Sequence, residues 1–183
     1  MKPLDLAVLR EAVAQGRIQW LKHLLQKLAE RGISQQAMRD VLSSGERIRD
    51  YAEDRPFPSA LFLGYVGDQP LHVVASCDEV NKQAFIITAY EPSLDVLESG
   101  LSDKEKTMSN IDSICPLCGG KKTAGKTTFS ADLGSGIVVV REVEATVCSQ
   151  CGEEWIDDTT ARKLEQIVKD ARARHLQVEV AAM

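Results

Sequence analysis

The sequence lacks a long apolar run. None of its 183 residues lies in a stretch that approaches the ~20 consecutive apolar residues a membrane-spanning helix needs. The opening "MKPLDLAVLREAVAQG" contains acidic residues and no continuous apolar segment, so it is not expected to be a signal peptide. We therefore expect a cytoplasmic protein without membrane contact. In that reducing compartment, its five cysteines are not expected to form structural disulfides.

The sequence also lacks an excess of positive charge. It has 22 Lys and Arg against 27 Asp and Glu, a formal net charge of −5. Residues 1–95 carry 11 basic against 13 acidic side chains, and residues 111–183 carry 9 against 11. Neither part is a polycation, so any contact with RNA or DNA would have to use a local patch.

Four of the five cysteines form two closely spaced pairs. Cys115 and Cys118 lie in "CPLCGG", Cys148 and Cys151 lie in "CSQCGE", and 29 residues separate the two motifs. Two-residue spacers let paired thiolates bind one ion, and a glycine after each second cysteine tolerates the turn that follows. The pattern predicts one closed, structural Zn²⁺ site per chain. The alternative is two redox pairs, but neither pair opens a helix of a βαβ unit. Cys77 is expected to be a small, buried or half-buried apolar residue.

The periodicity predicts an α+β protein. Residues 4–32 have the leucine spacing of a helix, either continuous or divided into two segments at Gly16. Ser34 begins a second helix, which ends at Gly45. The segment "RDYAEDRPFPSA" is expected to be a loop. Three strands follow, "ALFLGYV", "LHVVAS" and "AFIITAY", and form an antiparallel sheet.

The second part of the chain has its own pattern. "KTTFSADLG" and "GIVVVREVEATV" predict a hairpin around "GSG", and "DDTTARKLEQIVKDARARH" predicts a capped amphipathic helix, followed by a short strand "LQVEV". The polar stretch between the two parts is typical of a linker. The predicted organisation is a domain over residues 1–95, a linker over 96–110 and a cysteine-bearing domain over 111–183.

Two resemblances to known families follow from these motifs. "CPLCGG", "GKTTF", "GIVVVREVEATVCSQCGEEW" and "DDTTARKLEQIV" resemble the YgiT-type zinc finger of MqsA-like antitoxins, from about Ile114 to Val180. "HLLQKLAERGIS", "GERIRDYAEDRPFPSALFLG" and "PLHVVAS" with "AFIITAYEP" resemble a bacterial domain of unknown function, related to BrnT and RelE-like toxins, over His23 to Pro92. The first resemblance implies a module that binds a toxin. The second implies a RelE-like fold of two helices and three strands, with mRNA cleavage as its activity.

Five residues of the first part are candidates for RNA cleavage. Cleavage at a 2′-hydroxyl needs a base, an acid for the leaving oxygen and positive charge near the phosphate. His72 titrates near neutral pH, and Tyr90 can donate a proton or stack on a base. His23, Lys27 and Arg31 recur every four residues and so share one helical face. The structural interpretations are a hydrogen-bonded strand histidine, a core tyrosine and a solvated helix face.

The sequence therefore favours a single-chain fusion of the toxin–antitoxin type. Its first part is expected to be an mRNA interferase-like ribonuclease that is either inhibited or vestigial, and its zinc-binding part is expected to neutralise that ribonuclease. The expected partners are RNA or the ribosome. The two parts are also expected to contact each other, either within one chain or by domain swapping in a homodimer. The alternative is a non-catalytic, zinc-dependent regulatory protein that contacts nucleic acid or another protein. Lys121, Lys122 and Lys126, near the first cysteine pair, favour that alternative.

Overall fold

The computed structural model describes residues 3–92, 114–175 and 177–182. The predicted linker over 96–110 lies outside these residues. The helices are α1 (Leu6–Ala14), α2 (Lys22–Arg31), α3 (Gln35–Ser44) and α4 (Asp158–Ala173). The strands are β1 (Ile18–Leu21), β2 (Glu46–Tyr51), β3 (Ser59–Val66), β4 (Gln69–Asp78), β5 (Gln83–Tyr90), β6 (Lys122–Asp132), β7 (Ile137–Cys148), β8 (Glu154–Asp157) and β9 (Val178–Ala182). No helix within the described ranges is long and apolar enough to cross a membrane.

The nine strands form one mixed sheet. Their order is β2-β3-β4-β5-β1-β8-β7-β6, and β9 pairs with β7. The pairs β1–β5 and β7–β9 are parallel, and the others are antiparallel. The sheet passes from the first part of the chain to the second where β1 pairs with β8. One cluster of buried apolar side chains contains residues from both parts. The domain boundaries given above stay a prediction about folding units.

The helix ends follow the sequence signals. The Ser34 hydroxyl accepts the N–H of Ala37 and begins α3, and the Asp157 carboxylate accepts the N–H of Thr160 and begins α4. Gly32 ends α2 in the left-handed conformation, with φ of 69°. The β6–β7 hairpin turns at residues 133–136, as predicted, and β9 confirms the last short strand.

Two expectations for the first part were wrong, and a third was incomplete. A strand, β1, separates α1 from α2, so Leu21 lies in a strand, not a helix. Part of the segment expected to be a loop belongs to β2, an edge strand without apolar alternation. The three predicted strands are antiparallel neighbours, but they belong to a larger mixed sheet. Local periodicity does not show β1, because its partners β5 and β8 are distant in sequence, and it does not show β2, because that strand lacks apolar alternation.

Candidate functional site

The first cysteine pair lies in a tight knuckle just before β6. The N–H of Cys115 donates to the carbonyl of Gly120 at 2.8 Å, and the N–H of Gly119 donates back to the carbonyl of Cys115 at 2.9 Å. Gly119 has φ of 74°, the left-handed region that favours glycine. The loop therefore turns back on itself, and the N–H of Gly120 lies 3.4 Å from the Cys118 sulfur.

The second pair forms a matching knuckle between β7 and β8. The N–H of Cys148 donates to the carbonyl of Glu153 at 2.9 Å, and the N–H of Gly152 donates to the carbonyl of Cys148 at 3.0 Å. Gly152 has φ of 78°. Both glycines occupy the left-handed position expected for the residue after the second cysteine.

The β6–β7 hairpin brings the two knuckles together. It pairs Lys122 with Cys148, and the four sulfurs lie within 4.8 Å of one another. The sulfur–sulfur distance is 3.8 Å between Cys115 and Cys151 and 3.5 Å between Cys118 and Cys148. A disulfide needs a distance near 2.05 Å, whereas Zn–S bonds of about 2.3 Å in a tetrahedron place sulfurs about 3.8 Å apart. The arrangement therefore fits one four-coordinate metal ion.

Gly120 allows the two knuckles to approach closely. A Cβ atom at this position would lie 2.6 Å from the Cβ of Gln150 and 2.9 Å from the sulfur of Cys148. Such distances are not tolerated, so any larger residue would push the knuckles apart. The second glycine of "CPLCGG" therefore has a packing role that its position after the motif did not reveal.

The thiols differ in their acidity. Burial works against ionisation of Cys148, but the N–H groups of Cys151 and Gln150 and neighbouring thiols outweigh it and lower its pKa to about 7. Burial raises the pKa of Cys115 to about 11 and also raises the pKa of Cys151. An ion that binds all four sulfurs must therefore displace protons. Cys77, by contrast, is fully buried, so the expectation of a small, buried or half-buried apolar residue is confirmed. Burial raises its pKa to about 12.

A histidine–tyrosine pair lies in the first part of the sheet. His72 in β4 is the direct cross-strand partner of Tyr90 in β5, and their rings meet edge to face with centroids 5.1 Å apart. Gly64, the partner of Leu71, faces Val41 of α3. Since side chains alternate along a strand, His72 and Tyr90 lie on the sheet face opposite α3.

Burial shifts the pKa values of both rings of this pair. It lowers the pKa of half-buried His72, whose Nδ1 has no hydrogen-bond partner among the described residues. It raises the pKa of Tyr90, with a further rise from Tyr51 and an opposing effect of Arg49. The Arg49 guanidinium lies 5.2 Å from the centre of the Tyr51 ring. At neutral pH the face therefore combines a neutral imidazole, a protonated phenol and an arginine.

The other three candidates lie elsewhere. His23 and Lys27 line an open depression of about 330 Å³ between α2 and the β6–β7 hairpin, together with Asp132. Lys27 forms an ion pair with Glu30 at 2.9 Å, and Arg31 is exposed in the last turn of α2. The described contacts do not join these three side chains to the His72–Tyr90 pair, so they do not form one site with it.

A buried carboxylate that sequence reasoning missed connects the two parts of the chain. Asp158, 5 % exposed, accepts hydrogen bonds from the Trp20 indole at 2.9 Å and from Arg162 at 2.9 Å, and it forms an ion pair with buried Arg39. The Arg39 guanidinium also lies over the Trp20 ring. In the sequence, "DD" before a helix indicates only a cap, and Asp157 fills that role. No local signal marks the second aspartate as buried.

Comparison with known proteins gives one finding. Residues 20–91, fewer than half of the chain, match the family described as Domain of unknown function (DUF4258). These residues form a DUF4258 domain. It contains Trp20, Arg39, His72 and Tyr90, and its bounds agree closely with the resemblance noted for the first part. No curated protein and no solved structure matches the chain. The relations to BrnT or RelE-like toxins and to YgiT-type zinc fingers stay predictions.

Proposed function

We propose that the chain is a single-chain protein of the toxin–antitoxin type. Its DUF4258 domain cleaves RNA, and its four-cysteine part binds zinc and serves as a built-in protein partner. The observation that carries the catalytic part is the His72–Tyr90 pair, because it puts a base and an acid of suitable protonation state side by side on the sheet face opposite α3. The reaction is internal attack of a ribose 2′-hydroxyl on the adjacent phosphate, with departure of the 5′-oxygen.

The two rings take different roles in this reaction. A neutral His72 accepts the proton of the 2′-hydroxyl, and a protonated Tyr90 donates a proton to the leaving 5′-oxygen. Arg49 lies near Tyr51 and Tyr90. Its guanidinium is suited to bind the phosphate because its charge persists at all relevant pH values. His23, Lys27 and Arg31 are not needed at the reacting atoms, but the positive charges of Lys27 and Arg31 and the polar side chain of His23 suit the RNA strand beyond them.

Point variants of the whole chain test the catalytic role. His72→Ala and Tyr90→Phe should each lower cleavage of a labelled single-stranded RNA by about 100-fold or more, the usual contribution of one general acid or base. Lys27→Ala should reduce RNA affinity only. Cleavage that persists unchanged in both ring variants would contradict the assignment.

Zinc is the metal we propose for the cysteine cluster. Four thiolates with tetrahedral spacing are the usual ligands of a structural zinc ion, which would tie the two knuckles together and leave no open position for a substrate. Metal analysis of purified protein should find one zinc per chain. A red, iron-containing protein or four freely titrating thiols without metal would overturn this choice.

The non-catalytic alternative loses part of its support. Of the three lysines that favoured it, Lys122 is buried, with its ammonium group 4.7 Å from the centre of the Phe85 ring. Lys126 forms an exposed ion pair with Glu142 at 3.0 Å. These positions do not make a convergent basic patch beside the first knuckle.

A further inference from the structure

The seam between β1 and β8 joins the two parts of the chain. Three residue pairs form it: Gln19 with Asp157, Trp20 with Ile156 and Leu21 with Trp155. Trp20 and Trp155 are the only tryptophans of the sequence, and both are fully buried. Because β1 is already paired with β5 on its other side, β8 covers the remaining edge of that strand.

The contact beside this seam is selective for a carboxylate. On the DUF4258 side, the Trp20 indole and the Arg39 guanidinium both donate to Asp158, the residue directly after β8. Gln35 donates to the carbonyl of Ala161, one turn further along α4, at 2.6 Å. A buried arginine that loses its carboxylate partner is strongly destabilising. The surface therefore fits a strand followed at once by a helix with an aspartate in its first turn.

The cysteine cluster sets the position of β8. Only Gly152 and Glu153 separate Cys151 from this strand, and the carbonyl of Glu153 accepts the N–H of Cys148. On its other side, β8 pairs with β7 at Thr146 and Val147, immediately before Cys148. A strand of four residues has few hydrogen bonds of its own. Its register therefore depends on the knuckle that precedes it.

We propose that β1, Arg39 and Gln35 form a docking surface of the DUF4258 domain for a metal-loaded strand–helix unit, which β8 and α4 supply from the same chain. Metal binding at the four cysteines fixes the second knuckle, and the knuckle holds β8 and Asp158 against this surface. This docking rests on the metal binding proposed above. It adds a consequence of metal binding, because metal loading then controls a contact made by residues that bind no metal.

Tryptophan emission of the whole chain tests the inference directly. In a Trp155→Phe variant, Trp20 is the only tryptophan and reports from the DUF4258 side of the seam. Chelation should shift its emission to longer wavelength as β8 leaves, and added zinc should reverse the shift. In the matched Trp20→Phe variant, Trp155 reports from the cysteine-bearing side. A response of Trp155 alone would overturn the inference, since the change would then stop at the seam.

Metal content is measured in the same samples, which separates the two proposals. If no metal is bound in any preparation, the metal site itself fails. If one metal is bound and its removal leaves Trp20 emission unchanged, the metal site stands and the docking inference fails. Hydrogen exchange of the unmodified protein gives an independent readout: chelation should expose amides of β1, β8 and α4 but not those of β3 and β4. An equal loss of amide protection in all strands of the sheet would contradict a separable docking surface.

Linkage supplies the reverse test. If metal binding favours docking, docking must favour metal binding by the same factor. Asp158→Asn leaves all four cysteines intact but should weaken zinc affinity in a chelator competition by about 5- to 150-fold, the usual range of such couplings. Asp170→Asn removes an exposed carboxylate of the same helix and should leave the affinity unchanged. Equal affinities of the two variants would overturn the coupling.

Discussion

At the scale of single residues, chemically similar side chains have different roles because their surroundings differ. Asp157 caps α4 from a partly exposed position, whereas its neighbour Asp158 is buried against Arg39 and Trp20. Four cysteines converge on one point, whereas Cys77 is isolated in the core. Residue type and spacing were enough to predict the cysteine cluster, because two CxxC motifs with suitable spacing are typical of a metal site. They could not predict the burial of Asp158, because its partners Trp20 and Arg39 lie more than 100 residues away.

The cysteine contrast gives a prediction for metal content. Cys118→Ser should reduce bound metal from one ion per chain to nearly none, because three thiolates and a hydroxyl make a far poorer site. Cys77→Ala is the matched control and should retain the ion. Thiol titration together with elemental analysis checks both variants. Full metal retention in Cys118→Ser would exclude that cysteine as a ligand.

Removal of the buried arginine should destabilise the fold. Arg39→Met leaves buried Asp158 charged, with only the largely exposed Arg162 as an ion-pair partner, so we expect the free energy of unfolding to fall by about 3–5 kcal/mol. Lys126→Met breaks an exposed pair and should cost less than about 1 kcal/mol. Urea unfolding, with the metal kept saturated, measures both. A small effect of Arg39→Met would show that the buried pair contributes little.

If His72 and Tyr90 act as the proposed base and acid, RNA cleavage should depend on pH in a defined way. Burial lowers the pKa of His72, so the imidazole stays neutral, and able to accept a proton, below its ordinary value of about 6.5. Burial raises the pKa of Tyr90, so the phenol stays protonated up to at least its ordinary value of about 10. The cleavage rate should therefore be constant across neutral pH and decline on the acidic side below about 6.5. An acidic limb centred above that value would contradict His72 as the base.

At the scale of elements, the long or capped ones were predictable and the short ones were not. Ser34, Gly32 and the β6–β7 turn carry local signals, because capping and left-handed positions constrain residue type. Strands β1 and β8 have four residues each and are defined by their mutual pairing. The leucine spacing in the first 32 residues fits a helix both before and after β1. A prediction from this periodicity therefore includes β1 in the helix. The element that joins the two parts was therefore the least visible.

Packing of α3 on β3 gives a prediction at this scale. A Cβ atom on Gly64 would lie 2.5 Å from a Val41 methyl group, so Gly64→Ala should destabilise the protein by about 1–3 kcal/mol through overpacking. Val41→Ala creates room opposite the new methyl group. The double variant Gly64→Ala/Val41→Ala should therefore be more stable than the sum of the single effects implies. Strict additivity in urea unfolding would show that α3 shifts away instead.

At the scale of the whole molecule, one sheet carries the His72–Tyr90 pair on β4 and β5 and the four-cysteine cluster beside β6, β7 and β8. The described contacts between the parts include those of β1, α2 and α3, such as Lys22 with Glu154 and Arg172 with the carbonyl of Ala29, and the contact of Phe85 in β5 with Trp155. Tyr90 lies in β5, the strand next to β1, beyond the residues that pair with β1, and His72 lies one strand further away in β4. Within the described residues, the second part thus contacts the DUF4258 domain at β1, β5, α2 and α3, and the inhibition we propose acts through these contacts.

A cut between the two parts should leave them associated. A protease site inserted between residues 93 and 113 allows the folded, metal-loaded chain to be cleaved without changing a described residue. The products should elute together at the size of the intact protein, because the β1–β8 pairing and the buried Asp158–Arg39 contact resemble a domain core more than a transient interface. Chelation should then separate the two fragments, whereas the uncut chain should not release a fragment. Separation of metal-loaded fragments at micromolar concentration would show that only the covalent connection holds the parts together.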